Sequence, residues 1–262
     1  MAPLVIHLRT LDGRDITAAD DLSRLDRAAA ARLWTVVPVL PAAGRPEAVA
    51  ALLDAFADAK GDGRLPNIRG IAVGTDRVAD LAVLLRHGRG AAAYVHLTGA
   101  AARGDLAAVR RRCSEHGTLV MVDSTAVDPV TLGDTGDGVA RLLVRSTGGP
   151  AVSRLTTLAR DGALTLCVDL GAPDPDVHAV IRRAGPEHVV GLLERPDGTP
   201  DRPPADDLPA LGGWETPAPD GVAAATTRLR RAGFSEDDVE AVLGGTAERA
   251  FAGARPVAWS GP

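Results

Sequence analysis

The chain reads as a compact (β/α)8 barrel, a single domain over residues 1–262. Three observations predict it. Eight short apolar runs alternate with segments of helical spacing. Successive runs lie roughly 20–35 residues apart, the interval of a βαβ unit with a right-handed crossover. No Gly-x-Gly-x-x-Gly follows the first run, which favours the barrel over its runner-up, an open doubly wound sheet. The length of 262 residues suits one closed barrel.

The elements follow in order. Leu4 to Leu8 is the first strand. Ala19 to Leu33 has helical spacing, with Asp20 and Asp21 in the first turn where acids suit the helix dipole. Trp34 to Leu40 is the second strand, stopped by Pro41, and Pro46 to Ala59 a helix. Ile68 to Gly74 is the third strand, Val78 to His87 a helix, and Ala91 to Leu97 the fourth strand. The Arg-rich segment Asp105 to His116 is helical, and Thr118 to Asp123 is the fifth strand. A Gly- and Asp-rich stretch, 127–137, leaves room only for a short helix. Arg141 to Arg145 is the sixth strand. Pro150 to Arg160 is a helix with proline near its start, where its missing N–H costs nothing. Leu164 to Leu170, a helix over Asp174 to Ala184, and His188 to Leu193 complete the eight strands.

A Pro- and Gly-rich loop, 195–219, comes next, read as a lid over the catalytic face or as a linker. Two helices close the chain, Val222 to Ala232 and Asp237 to Phe251. Ser235 is the N-cap of the second, with an acid three residues on. The tail 254–262 reads as a loose strap.

Composition narrows the function classes. Aromatic residues are only 3% of the chain, so Ala, Val and Leu must build the core. The net charge is −5 and no basic run occurs, which argues against nucleic acid. No 18-residue apolar run and no secretory leader pattern stand out, so no membrane partner and a cytoplasmic location are expected. Cys113 and Cys167 lack metal or redox spacing and read as reduced core residues.

In such a barrel the chemistry sits at the C-terminal strand ends. Polar groups collected there are His7 and Arg9, Thr75 and Asp76, and His96. Asp123 to Thr125, Arg145 to Thr147, Asp169, and Glu194 with Arg195 follow. Alternation along a strand groups His7 with Arg9, Asp123 with Thr125, and Arg145 with Thr147. Two runs echo each other, 118–125 and 141–147, both ending in Ser-Thr.

Four stretches carry a family resemblance: GTLVMVDST at 117–125, LLVRSTGGPAV at 142–152, AGPEHVVGLLERPDG at 184–198 and LRRAGFSEDDVEAVLGGTAERAF at 229–251. In that order they resemble segments of the membrane (renal) dipeptidase family of the amidohydrolase superfamily. The last is the most specific, though it is a structural signature. The resemblance implies a barrel that holds two zinc ions with a His-x-Asp on strand one, a Glu after strand three and histidines ending strands five and six. Here His7 is kept, but Arg9 stands where the Asp would be, Val73 near the Glu, and Thr125 and Thr147 at the histidines. Glu194 or Arg195 falls at the strand-eight Asp.

A threonine hydroxyl cannot replace an imidazole on zinc, and an arginine beside His7 repels a dication. The expected reading is a dipeptidase-like barrel that has lost its metals and is repurposed as a metal-independent enzyme. Its substrate would be a small amino-acid- or peptide-derived molecule, as in a biosynthetic pathway. His7, Asp123 and Glu194 are the candidate catalytic residues. Arg9, His96, Thr125, Arg145, Thr147 and Asp169 are the candidate substrate-binding residues. No metal and no cofactor are expected.

Blander readings stand beside each. Arg9 and Arg145 either clamp a carboxylate or pair with Asp123, Asp169 or Glu194. Asp123 is a general base or a structural acid facing a helix. His7 is an acid/base group or a relic, and His96 a core histidine. Two alternatives for the whole chain remain open: a pseudoenzyme serving as a binding or assembly partner, and a residual single-metal amidohydrolase on His7, Asp123, Asp169 and Glu194. Homodimerisation is also left open.

Overall fold

The computed structural model describes residues 3–8, 16–87, 91–128, 142–146, 152–170, 176–192 and 219–253. Eight parallel strands close in sequence order into a (β/α)8 barrel. They are β1 (Leu4–Leu8), β2 (Thr35–Pro41), β3 (Ile71–Thr75), β4 (Ala92–Leu97), β5 (Leu119–Asp123), β6 (Leu142–Arg145), β7 (Leu164–Asp169) and β8 (Val189–Leu192). The ring shuts where Ile6 of β1 meets Leu192 of β8.

Helices return the chain between strands: α1 (Ala19–Ala31), α2 (Pro46–Gly61), α3 (Leu81–Arg86), α4 (Leu106–Glu115), α5 (Val152–Arg160) and α6 (Val177–Ala184). Three more follow the barrel: α7 (Pro219–Arg231), α8 (Glu236–Glu240) and α9 (Thr246–Gly253). The loop 195–219 lies mostly outside the described residues, as does the tail 254–262. Among the described residues no helix is long and apolar enough to cross a membrane.

The strands form because their runs are apolar on both faces, as a barrel inside a ring of helices requires. One parity points inward. Val37, Val39, Ala72, Tyr94, Met121, Leu143, Cys167 and Val190 make one interior cluster. The other parity, including Val36, Leu40, Val73, Val95, Val122, Val144 and Leu166, packs outward with helix residues such as Leu53, Leu84, Leu155 and Ile181.

Several element ends differ from the sequence reading for local reasons. The first helix stops at Ala31, because Leu33 takes a left-handed turn (φ 56°) that no helix can include. The segment expected as one helix over Val78 to His87 opens as a 3-10 turn and turns α-helical only at Leu81. The final helix is not continuous either. Ser235 caps α8 with Asp238 closing the box. A wide π turn over Ala241–Gly245 then breaks the axis before α9. The break brings Gly244 so close to Leu4 that a Cβ there would lie 3.0 Å from the Leu4 backbone nitrogen.

That kink lays α9 across the N-terminal end of the barrel. Phe251 stacks on Tyr94 with ring centroids 6.4 Å apart. Ala247 and Phe251 join the interior cluster, and Arg69, just before β3, pairs with Glu248 at 2.9 Å. Thr246 and Arg249 donate hydrogen bonds to the carbonyls of Pro186 and Glu187, just before β8. One end of the barrel is thus sealed by apolar packing, and the C-terminal strand ends remain as the only end where a polar site can form among the described residues.

Candidate functional site at the barrel mouth

Two residues beyond the interior cluster, the same inward parity reaches the mouth. It carries Pro41 on β2, Gly74 on β3, His96 on β4, Asp123 on β5, Arg145 on β6 and Asp169 on β7. Lateral pairing confirms the alignment of Pro41 with Gly74, of Gly74 with His96, and of Asp123 with Arg145.

Asp123 is the hub. Its Oδ1 lies 3.2 Å from Nε2 of His96 and accepts a 2.6 Å hydrogen bond from Nε of Arg145. The three side chains come from consecutive strands and are 3%, 21% and 17% exposed for His96, Asp123 and Arg145. Burial acts to raise the Asp123 carboxyl, but the His96 hydrogen bond, the charge of His96 and the Arg145 guanidinium together outweigh it and hold the group at about 2. Asp123 is therefore ionised throughout the physiological range. An anion at that point favours a proton on Nε2 of His96.

The sequence reading left Asp123 open between a base and an acid facing a helix. The structure puts it inside the mouth. It likewise places Arg145 in an ion pair with Asp123, and gives His96, buried in β4, a charged partner rather than an apolar one. Asp169 stands on the next strand, half-buried, on the same parity.

Thr125 requires a correction. It was expected to share the inward face with Asp123 by strand alternation. β5 ends at Asp123, and Ser124–Ala126 turns at once into a 3-10 helix, which breaks the two-residue period. Thr125 is exposed there, while Ser124 is buried.

The grouping of His7 with Arg9 meets a similar obstacle. β1 pairs Ile6 with Val37 but Leu8 with Pro38, so the register shifts at His7. The shift falls opposite a proline, which has no N–H to give the ladder. The His7 side chain, Arg9, Thr147, Glu194 and Arg195 lie outside the described residues.

Thr75 and Asp76 do not join the inward set. Thr75 has the outward parity and is buried; its hydroxyl donates to Asp80 at 2.9 Å and accepts from the Arg77 amide, which fixes the turn after β3. Asp76 is exposed. Val73, near the position where the resemblance calls for a Glu, packs outward and is fully buried. The inward neighbour, Gly74, was missed: a glycine at a strand end has no hydropathy signal, and only the barrel register reveals where it faces.

The described part of the mouth does not fit a zinc pair. Zinc requires three or four His, Cys or carboxylate ligands per ion. No group of three or more such residues able to hold a metal occurs among the described residues. The Asp123 oxygen that a cation would use already accepts from a guanidinium, and that positive charge opposes a metal beside it.

No family model matches this chain, and no curated protein matches it. Solved structures do. A protein from Staphylococcus aureus described as an amidohydrolase is 10% identical with a TM-score of 0.49, over 96% of this chain and 100% of that one. 5-Carboxyvanillate decarboxylase LigW from Sphingomonas paucimobilis is 14% identical with a TM-score of 0.40, over 92% and 76%. A phospho-2-dehydro-3-deoxyheptonate aldolase (DAHP synthase) from Thermotoga maritima is 12% identical with a TM-score of 0.46, over 72% of this chain. This chain spans 59% of the length of that synthase.

Proposed function

We propose that the barrel is a metal-independent enzyme of dipeptidase-like ancestry that acts on a small amino-acid- or peptide-derived substrate at the strand-end mouth. One observation carries the reading: Asp123, ionised throughout the physiological range, joins a histidine and an arginine across three adjacent strands. Buried charge is costly unless it is paired and used, and an apolar layer would fill the same space more cheaply.

The roles follow from the geometry. Asp123 is a positioning residue; it orients the His96 ring and stabilises the imidazolium that forms when His96 takes a proton. His96 is the acid/base group that exchanges that proton in the reaction. Arg145 uses Nε on Asp123, and a guanidinium has further N–H donors suited to a substrate carboxylate. On an amide substrate the imidazole takes a proton from the attacking water as its oxygen bonds to the carbonyl carbon and gives that proton to the leaving nitrogen as the C–N bond breaks, so water is consumed and no oxidant is needed. His7 and Glu194 remain proposed catalytic groups, and Arg9 and Thr147 proposed substrate contacts.

The test is turnover of a panel of N-acyl amino acids and dipeptides, followed by mass spectrometry in buffer with a strong chelator. Wild type is expected to convert at least one member in chelator. His96→Gln and Asp123→Asn are each expected to lower that rate by about 10²-fold or more. Loss of wild-type turnover on chelation would favour the single-metal alternative. Full activity of both variants would sink the reading.

A second reading draws on the low exposure of His96, only 3% of its side chain. In it the three residues are a buried structural network, and the barrel is a non-catalytic binding partner. It predicts no turnover of any panel member and a stable partner protein in native mass spectrometry.

A further inference from the structure

We infer that Gly74 is a specificity-determining residue, opening an apolar notch beside His96 that receives the hydrophobic side chain of the substrate. The inference rests on the reading of the mouth as a substrate site. It starts from a glycine that the backbone does not require. Gly74 sits in β3 and is not among the glycines of positive φ. Close packing does not require it either. A Cβ at Gly191 would meet Leu170 at 2.4 Å, and one at Gly70 would meet Ala93 at 2.9 Å. At Gly74 the one atom within 4 Å, among the described residues, is Cγ1 of Val39 at 3.9 Å. Glycine inside a strand weakens it, because the chain loses more freedom on folding and no side chain packs. Such a residue at an inward strand end, with no described side chain filling the place of the one it lacks, points to space kept for a ligand.

The surroundings give that space its chemistry. Gly74 is half-buried, and its lateral partner Pro41 is exposed, so the notch communicates with solvent. Val39, a member of the interior apolar cluster, lies beneath it, and Ala72 of the same cluster sits two residues back on the same strand. Its other lateral partner is His96, with Asp123 and Arg145 beyond. The mouth is therefore divided. Among the described residues, β2 and β3 offer an apolar wall, and β4 to β6 offer acid, base and guanidinium. A molecule that fits both halves carries an apolar group next to a polar or anionic centre, as an N-acylated aliphatic or aromatic amino acid does.

The experiment follows the ring signals of His96 by NMR, assigned with His96→Gln, and needs no turnover. N-acetyl-leucine and N-acetyl-glycine are titrated into wild type and into Gly74→Leu. In wild type, N-acetyl-leucine is expected to shift His96 at about tenfold lower concentration, a preference worth one buried aliphatic side chain. Gly74→Leu is expected to erase that preference, with the fold checked by circular dichroism. Equal response to the two probes, no response to either, or a preference that survives Gly74→Leu overturns the inference.

If Gly74→Leu does not fold, Gly74→Cys takes its place, modified with methyl or benzyl methanethiosulfonate. Both native cysteines are fully buried, and burial pushes the Cys113 thiol up to about 12, so the introduced thiol is the one that reacts. One equivalent of benzyl label that shifts His96 supports the notch; an unreactive thiol or an unmoved ring overturns it. Binding preference without turnover would leave the notch standing and remove the enzyme reading. Turnover by wild type that Gly74→Leu does not alter across side-chain sizes would do the reverse.

Discussion

The two ends of the barrel are built from the same eight strands and solve opposite problems. At the N-terminal end, α9 brings Phe251 onto Tyr94 and Ala247 against the interior cluster, and the pair of Arg69 with Glu248 stays at the rim. At the C-terminal end the inward positions carry His96, Asp123 and Arg145, charge held inside the ring. The difference teaches that a barrel needs only one sealed end. Apolar area removed from water stabilises the floor, which leaves the mouth able to carry polar groups that add little to folding.

Mutations that exchange the two roles should break the comparison. The largest stability effect is expected from Phe251→Ala, which empties the floor. A loss of about 3 kcal/mol is expected in urea unfolding, with turnover per folded molecule unchanged. If Phe251→Ala lowers turnover at temperatures where the protein is fully folded, the ends are coupled and the division fails.

Asp123→Asn should come next, at roughly 2 kcal/mol, since it removes the shared acceptor of a histidine and a guanidinium. Here turnover should fall far more than stability, the mirror image of Phe251→Ala.

The same carboxyl makes a pH prediction. Its folded value, about 2, lies below the ordinary 3.8, so its contribution is complete above about pH 4 and is lost as pH falls through about 2. Urea midpoints of wild type should therefore fall faster than those of Asp123→Asn between about pH 4 and pH 2. Parallel curves would mean that the mouth network does not hold in solution.

The smallest effect belongs to the rim of the floor. Arg69→Ala should cost about 0.5 kcal/mol, because its pair with Glu248 is about one-third exposed and solvent screens it. A cost equal to that of Asp123→Asn would show that the two ion pairs are equivalent and that burial at the mouth has no special meaning.

The sequence was readable where a local pattern carries the information. Eight β-rich runs with helical spacers placed every strand within a few residues, and Ser235 with Asp238 marked a capping box that the structure forms. Pattern reading failed where local geometry interrupts a period. Thr125 was placed by an alternation that ends at Asp123, where the chain turns at once into a 3-10 helix. The long last helix was expected to run unbroken, although Gly244–Gly245 is a helix-breaking pair; its partner in the close approach, Leu4, is far away along the chain.

What the sequence by itself determined is the order of apolar runs and turns, and from it the (β/α)8 barrel, since periodicity and spacing are properties of neighbours along the chain. What only the tertiary structure decided is the meaning of the strand ends. His96, Asp123 and Arg145 lie 27 and 22 residues apart along the chain. Their meeting depends on barrel register, and so does the bare position at Gly74 beside them. Register is set by the closure of the whole sheet, which no local stretch of sequence contains.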